Sequence, residues 1–305
     1  MADTRCAMVA IVGRPNVGKS TLLNHLLGQK LSITSRKPQT TRQQLLGVRT
    51  EGDSQLIFID TPGIHLGQTK AVNKLMNKSA ASAMTEVDVT LMLCDRTRWT
   101  DEDELALDWV SRQEGPVALL INKVDLLQDK DALLPFTTHL SGRVDFDAVF
   151  PISALRKQGL EDLVHYIKRL APFGPHLFPE DHVTDKTQRF LAAELVREKI
   201  VRQLGDELPY ATAVEIEDFA EDERGILHIN ALILVERAGQ KKILVGESGE
   251  RLKSIGTAAR KDMEQAFDCK VMLKLWVKVK AGWSDDMRAL KTLGLSLLFL
   301  TVSCR

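Results

Sequence analysis

The chain lacks a charge bias, a cysteine pair, a leader-like start and any internal repeat, and each absence removes a class of protein. Its 41 lysines and arginines match its 41 aspartates and glutamates across 305 residues, so total charge points to neither a nucleic-acid nor a membrane partner. Cys6, Cys94, Cys269 and Cys304 stand far apart with no CxxC, which excludes a disulfide framework or zinc ribbon and fits a reducing compartment. The start, MADTRCAMVAIVG, has neither a charged-then-apolar signal layout nor a transit-like composition, and a cytoplasmic location is expected. What remains is ordinary globular material, 44% apolar and 27% charged, which excludes a disordered or collagen-like chain. The length is about twice that of a typical domain and predicts two cores.

Apolar runs at residues 8–12, 56–59, 89–94, 117–121 and 148–152 are short enough for buried strands, and amphipathic stretches separate them. That alternation predicts a mostly parallel sheet with helices on both faces, whose ligands bind beyond the carboxyl ends of the strands. Residues 171–185 hold three of the ten prolines and no periodicity, as a linker would. Beyond them the pattern changes. It predicts a helix over 188–204, strands over 213–220 and 227–236, a short apolar turn at 241–245, a helix over 251–267 and a strand over 271–280. The order α-β-β-α-α-β marks a second, α+β domain.

Four motifs follow strand-like runs in the first half. Gly13-Arg14-Pro15-Asn16-Val17-Gly18-Lys19-Ser20 fits GxxxxGK[ST], with Thr21 next in the helix it opens. Such a loop turns backbone N–H groups around phosphate oxygens, Lys19 reaches the outer phosphates, and the Ser20 hydroxyl can ligate Mg²⁺. Asp60-Thr61-Pro62-Gly63 puts a carboxylate where it can hold the magnesium shell and an amide near a terminal phosphate. Asn122-Lys123-Val124-Asp125 offers a carboxylate to the N1–H and 2-amino group of guanine, donors that adenine lacks. Ser153-Ala154-Leu155 is expected to back the base through main-chain amides.

In this order the four motifs resemble the nucleotide domain of translation-factor-class GTPases, and the resemblance implies GTP or GDP with Mg²⁺ as ligands. Between the first two motifs lies Gln39-Thr40-Thr41-Arg42. One of the two threonines, Thr41 ahead of Thr40, is the expected third magnesium ligand beside Ser20 and Asp60, and residues 30–48 and 64–81 are expected switches. Ras-like enzymes place a water-orienting glutamine after the glycine of the second motif. Here Ile64 stands there, so slow intrinsic turnover is expected, with Lys19, Asn16, Thr41 and Gly63 as the catalytic set. Pro15-Asn16 together with an apolar residue at 64 resembles GTPases of the Era/TrmE type. That likeness implies that Asn16 helps hold a K⁺ ion.

Gly246-Glu247-Ser248-Gly249 reads as the GXXG loop of a KH domain, which packs backbone against single-stranded RNA, and the element order is that of the type II form. Residues 237–280 carry eleven basic and five acidic side chains, whereas residues 205–223 carry eight acidic and no basic ones. A balanced total thus conceals a positive region around the loop. Lys241, Lys242, Arg251 and above all Lys253 are the expected phosphate contacts. On the last strand, Leu273, Leu275, Val277 and Val279 are expected on one face, with Lys274, Trp276, Lys278 and Lys280 on the other.

GRPNVGKSTLLN, GQKLSITSRKPQTTR, LVERAGQKKILVGESGERLKSIG and LWVKVKAGW make the whole chain similar to ribosome-assembly GTPases of the Era type. The resemblance implies binding near the 3′ end of small-subunit (16S) ribosomal RNA, a role in assembly of the 30S subunit, and a peripheral inner-membrane fraction without a transmembrane segment. The expected division is a GTP-binding domain over 1–171, a linker over 172–187, a KH domain over 188–291 and an atypical apolar tail over 292–305. Two rival readings are a P-loop kinase or ATPase, opposed by Asn122–Asp125, and an RNA-binding protein with a vestigial nucleotide site, opposed by Lys19, Ser20 and Asp60.

Overall fold

The structure, a computed structural model, describes residues 4–35, 41–63, 76, 80, 87–204 and 212–286. Gln39, Thr40, Ile64, nearly all of the expected second switch and the apolar tail lie outside the described residues. Six strands, β1 (Arg5–Val12), β2 (Leu45–Glu51), β3 (Ser54–Asp60), β4 (Val89–Asp95), β5 (Val117–Asn122) and β6 (Ala148–Pro151), form one sheet in the order β2-β3-β1-β4-β5-β6. All neighbours are parallel except β2, which runs antiparallel to β3.

Side chains alternate across a strand, so β1 feeds two cores. Ala7, Val9 and Ile11 pack with Leu22, Leu23 and Leu26 of α1 (Lys19–Leu27) and Leu163 and Ile167 of α4 (Leu160–Leu170). Ala10 and Val12 pack with Ala106, Leu107 and Val110 of α2 (Asp101–Val110) and Leu140 of α3 (Leu133–Ser141). From β1 the chain crosses to the edge strand β2, comes back to β3 and then passes to β4 on the other side of β1. The phosphate loop after β1 therefore sits where strand order reverses, the place where such sheets bind ligands.

Two features depart from the sequence reading. Residues 45–48, expected to end a switch, belong to β2, with Leu45, Leu46 and Val48 buried against the sheet. The proline-rich segment is docked along the sheet: the Val48 amide donates to the Val183 carbonyl at 2.8 Å, Leu46 to Asp185 Oδ1 at 3.0 Å and Cys6 to the Pro172 carbonyl at 3.1 Å. An edge strand offers unpaired amides, and the segment answers those of β2 with the Val183 carbonyl and the Asp185 carboxylate.

The second half follows the expected order closely: α5 (Gln188–Gln203), β7 (Thr212–Glu221), β8 (Ile226–Val235), α6 (Ala238–Val245), α7 (Glu250–Phe267) and β9 (Lys270–Val279). Its sheet runs β7-β8-β9, with β7 antiparallel and β9 parallel to β8. A parallel pair needs a crossover, and α6 with α7 supplies it. Leu195, Val196 and Ile200 of α5 and Ile255, Ala259 and Met263 of α7 pack on Ile229, Ile233 and Val277. Along β9, Leu273 and Leu275 are half-buried and Lys274, Trp276 and Lys278 exposed, as the alternation demands. Val279 departs from its expected place: at the strand end it is exposed. Among the described residues no helix is long and apolar enough to cross a membrane.

Candidate functional site

Lys19 begins α1 and is buried. Its Nζ donates to the carbonyls of Gly13 at 2.8 Å and Arg14 at 2.9 Å, inside the loop. Burial lowers this ammonium to about 8, against the raising pull of Asp60. The Arg14 guanidinium is tied up in protein contacts: its Nε donates to Asp103 Oδ2 of α2 at 2.8 Å and its Nη1 to the Pro15 carbonyl at 3.4 Å. Arg14 therefore offers the site backbone rather than side chain. Gly63 approaches Pro15 so closely that a Cβ would stand 2.7 Å from the proline ring. A side chain there would force the Pro15 backbone of the loop to shift.

The three expected magnesium ligands converge. Ser20 Oγ lies 2.7 Å from Thr41 Oγ1 and donates to Asp60 Oδ2 at 2.9 Å. Ser32 Oγ donates to the same oxygen at 2.9 Å. Asp60 Oδ1 is buried and has no hydrogen-bond partner among the described residues. Burial pushes this carboxyl up, while Lys19 and the serine hydroxyls oppose the rise. An orphaned carboxylate oxygen beside two hydroxyls is an all-oxygen donor set that fits Mg²⁺. The neighbouring Thr61 hydroxyl is committed to the Ile11 carbonyl at 2.8 Å, so it braces β1, and Pro62 is buried beside it.

At the other end, Asn122 ties two loops together: Nδ2 donates to the Val17 carbonyl at 2.7 Å and Oδ1 accepts from the Ala154 amide at 2.9 Å. Lys123 holds a left-handed backbone (φ 64°), and its Nζ donates to the Asn16 carbonyl at 2.7 Å and Asp95 Oδ2 at 2.8 Å. Asp125 and Leu155 are exposed. The backing role expected of residues 153–155 is narrower than the sequence implies. The Ser153 amide bonds the Gln158 carbonyl at 3.2 Å and the Ala154 amide bonds Asn122, so these two donors stabilise the loop.

One cavity of about 850 Å³ collects Pro15, Asn16, Gly18–Thr21, Thr41, Gly63, Asn122, Lys123, Asp125, Ala154 and Leu155. It also takes Ile33 and Thr34 from the loop after α1, inside the expected first switch, and two residues that motif reading missed, Val201 and Arg202 from α5. No sequence signal announces the last two, because a helix beyond the linker reaches the cavity only through tertiary packing.

On the second half, Gly246 has φ 74° and Gly249 φ 83°, and Ser248 between them also adopts a positive φ of 48°. A Cβ on Gly246 would stand 2.8 Å from that of Arg251. The turn thrusts Glu247 and Ser248 outward between α6 and α7, with Lys241, Lys242, Arg251 and Lys253 exposed around it. Arg251 Nη1 also closes the turn, donating to the Ile243 carbonyl at 2.7 Å.

Comparison with known proteins agrees with this geometry. Residues 8–123 match the family described as 50S ribosome-binding GTPase, and residues 207–284 match the KH domain family. The chain is 59% identical over 291 residues to the GTPase Era of Ectopseudomonas mendocina (strain ymp), covering 95% of this chain and 97% of that one. It is 60% identical to the GTPase Era of Pseudomonas syringae pv. tomato, with the same coverage. Among solved structures it is similar to an Era in complex with MgGDPNP and nucleotides 1506–1542 of 16S ribosomal RNA, with TM-score 0.93, 38% identity, and coverage of 96% of this chain and 100% of that one. An Aquifex aeolicus Era variant bound to GDP·AlF4⁻ matches equally well. A phosphate loop at the sheet's reversal point, followed by a GXXG turn in a second core, thus recurs at high identity along nearly the full length, and the chain belongs to the Era family of GTPases.

Proposed function

We propose that this GTPase is a molecular switch that binds small-subunit ribosomal RNA near its 3′ end through the GXXG face and acts in assembly of the small ribosomal subunit. The observation that carries the nucleotide half is the meeting of Ser20 and Thr41 at Asp60, whose other carboxylate oxygen is orphaned, in the cavity that also holds Lys19 and Asp125. Lys19 and the loop amides grip the polyphosphate, Asp125 reads the guanine edge, and the Lys123 stem and Leu155 flank the base. Gly63 directs its amide at the terminal phosphate. Bound Mg²⁺ would neutralise charge on the outer phosphate oxygens as water displaces GDP from the γ-phosphorus. The exposed lysines and arginine around Gly246–Gly249 supply the phosphate contacts that RNA requires.

In this reading residues 1–171 form the GTP-binding domain, 172–187 the docked linker and 188–291 the KH domain. Asn16, on the cavity wall in a left-handed conformation (φ 63°), supports K⁺-stimulated hydrolysis, and equal rates in K⁺ and Na⁺ buffers reject that part. Crosslinking the full chain to cellular RNA and sequencing the bound fragments tests the partner. Reads clustered at the 3′ end of small-subunit RNA support the proposal, and reads spread evenly over unrelated RNA overturn it. Displacement of bound GDP by ATP as readily as by GTP would overturn the base assignment.

A further inference from the structure

The cavity has one wall that the four motifs do not build. Arg202 of α5 lines it beside Thr34. Its Nε donates to the Thr34 carbonyl at 3.0 Å and its Nη2 to Thr34 Oγ1 at 3.0 Å, and Nη2 pairs with Glu198 Oε1 at 2.9 Å. A guanidinium has five N–H donors. These bonds use three, and the two on Nη1 have no partner among the described residues.

Glu198 lies one helical turn before Arg202 and is fully buried. It also accepts from Lys30 at 2.6 Å, Lys199 at 3.1 Å and the Thr34 amide at 3.1 Å. Asp262 of α7 takes the same two lysines. Three cations thus share two carboxylates, which leaves one positive charge in surplus. Lys199 is buried, Lys30 has 38% of its side chain exposed and Arg202 47%. The surplus is therefore most open at Arg202, on the cavity side.

The position of Thr34 tells which part of a nucleotide this charge faces. It stands two residues after Ser32, whose hydroxyl shares Asp60 Oδ2 with Ser20. The base end, with Asp125, Leu126 and Leu155, is built by other loops. Arg202 therefore stands on the phosphate side with Lys19, away from the base-end residues Lys123 and Asp125.

We propose that Arg202 is a nucleotide-binding residue, an arginine supplied by the KH half that donates to phosphate oxygens of GTP and GDP across the cavity from the phosphate loop. This rests on the reading of the cavity as a guanine-nucleotide site. A guanidinium held by Thr34 and Glu198 is already ordered for an anion, and such forks suit phosphate oxygens.

The test uses the full chain and titrates GDP, GDPNP and guanosine into wild type, Arg202→Gln and Arg202→Lys. The expected result is about a tenfold loss of GDP and GDPNP affinity for Arg202→Gln, with guanosine affinity changed by less than about twofold and Arg202→Lys intermediate. Unchanged GDP affinity in Arg202→Gln overturns the proposal. So does a guanosine loss equal to the GDP loss, which would make Arg202 a prop for Thr34 alone. Wild type that binds no GDP overturns the cavity reading itself, a failure distinct from the other two.

Discussion

The two sheets use their faces differently. In the first, β4 and β5 are buried along their whole length, because helices cover both faces. No face is left for a ligand, so chemistry collects at the strand ends, where Asp60 and Asn122 are the last residues of β3 and β5. In the second, α5 and α7 cover one face, and β9 shows Lys274, Trp276 and Lys278 to solvent. Its recognition loop is a turn between helices. Burial on both faces yields a deep cavity with desolvated charges, whereas one-sided burial yields an open surface with solvated ones. The two sites should therefore differ in how steeply they respond to single substitutions.

The deep site should respond most. Lys19→Ala removes the buried ammonium inside the phosphate loop and is expected to weaken GDP binding by about two to three orders of magnitude. Calorimetric titration measures this, with circular dichroism to show the chain still folded. A loss of less than tenfold would erase the contrast. Gly246→Asp should cost less, about 30-fold in affinity for a 16S 3′-end RNA, because it strains a φ of 74° and sets a carboxylate among phosphates. Its GDP affinity should stay at the wild-type value. Filter binding with both ligands reads the two effects separately.

The difference between the halves also decides what could be read from the sequence. Lys19, Asp60, Asn122 and Gly246 were legible because each lies in a contiguous motif at the end of a strand or between two helices, where short-range spacing fixes geometry. β2 was hidden: Leu45–Glu51 is a half-polar edge strand following the polar stretch around Thr41, and its pairing with β3 is antiparallel in a sheet whose other strands are parallel. The docking of Val183 and Asp185 on that edge is set by one carbonyl and one carboxylate oxygen accepting from β2 amides, contacts that no short-range pattern announces. Asn122 was singled out by its motif, but its loop-bracing bonds to Val17 and Ala154 require residues far apart in sequence. Arg202 is the extreme case, since only the packing of α5 against the first half brings it to the cavity.

Acidity probes the buried charge more gently. The Lys19 ammonium, lowered to about 8 by burial, must be protonated to hold phosphates, and bound phosphates raise its pKa again. Above pH 8 binding therefore takes up a proton, and GDP affinity should fall by up to about tenfold per pH unit. Below that pH this group imposes no trend. Affinity that stays flat from pH 7 to 10 would mean that the loop lysine is solvated, and the two sites would then differ in shape alone.

The smallest expected effect tests whether the halves are separate in stability as well as in architecture. Asp103 is buried and carries two tasks: it takes Arg14 of the phosphate loop, and it accepts the Thr100 amide at 3.0 Å and hydroxyl at 2.8 Å at the start of α2. Thr100→Val deletes the hydroxyl bond while keeping shape and the amide bond, which should cost about 1 kcal/mol. Because Thr100 lies far from the α5–β8–α7 core, two independent cores predict that urea unfolding shows two transitions, of which only one moves. A single transition that shifts as a whole would make the molecule one cooperative unit. In that case the bonds joining Lys30 and Thr34 to Glu198 would be strong enough to fuse the two cores, and the contrast between the two sheets would be one of surface, not of folding.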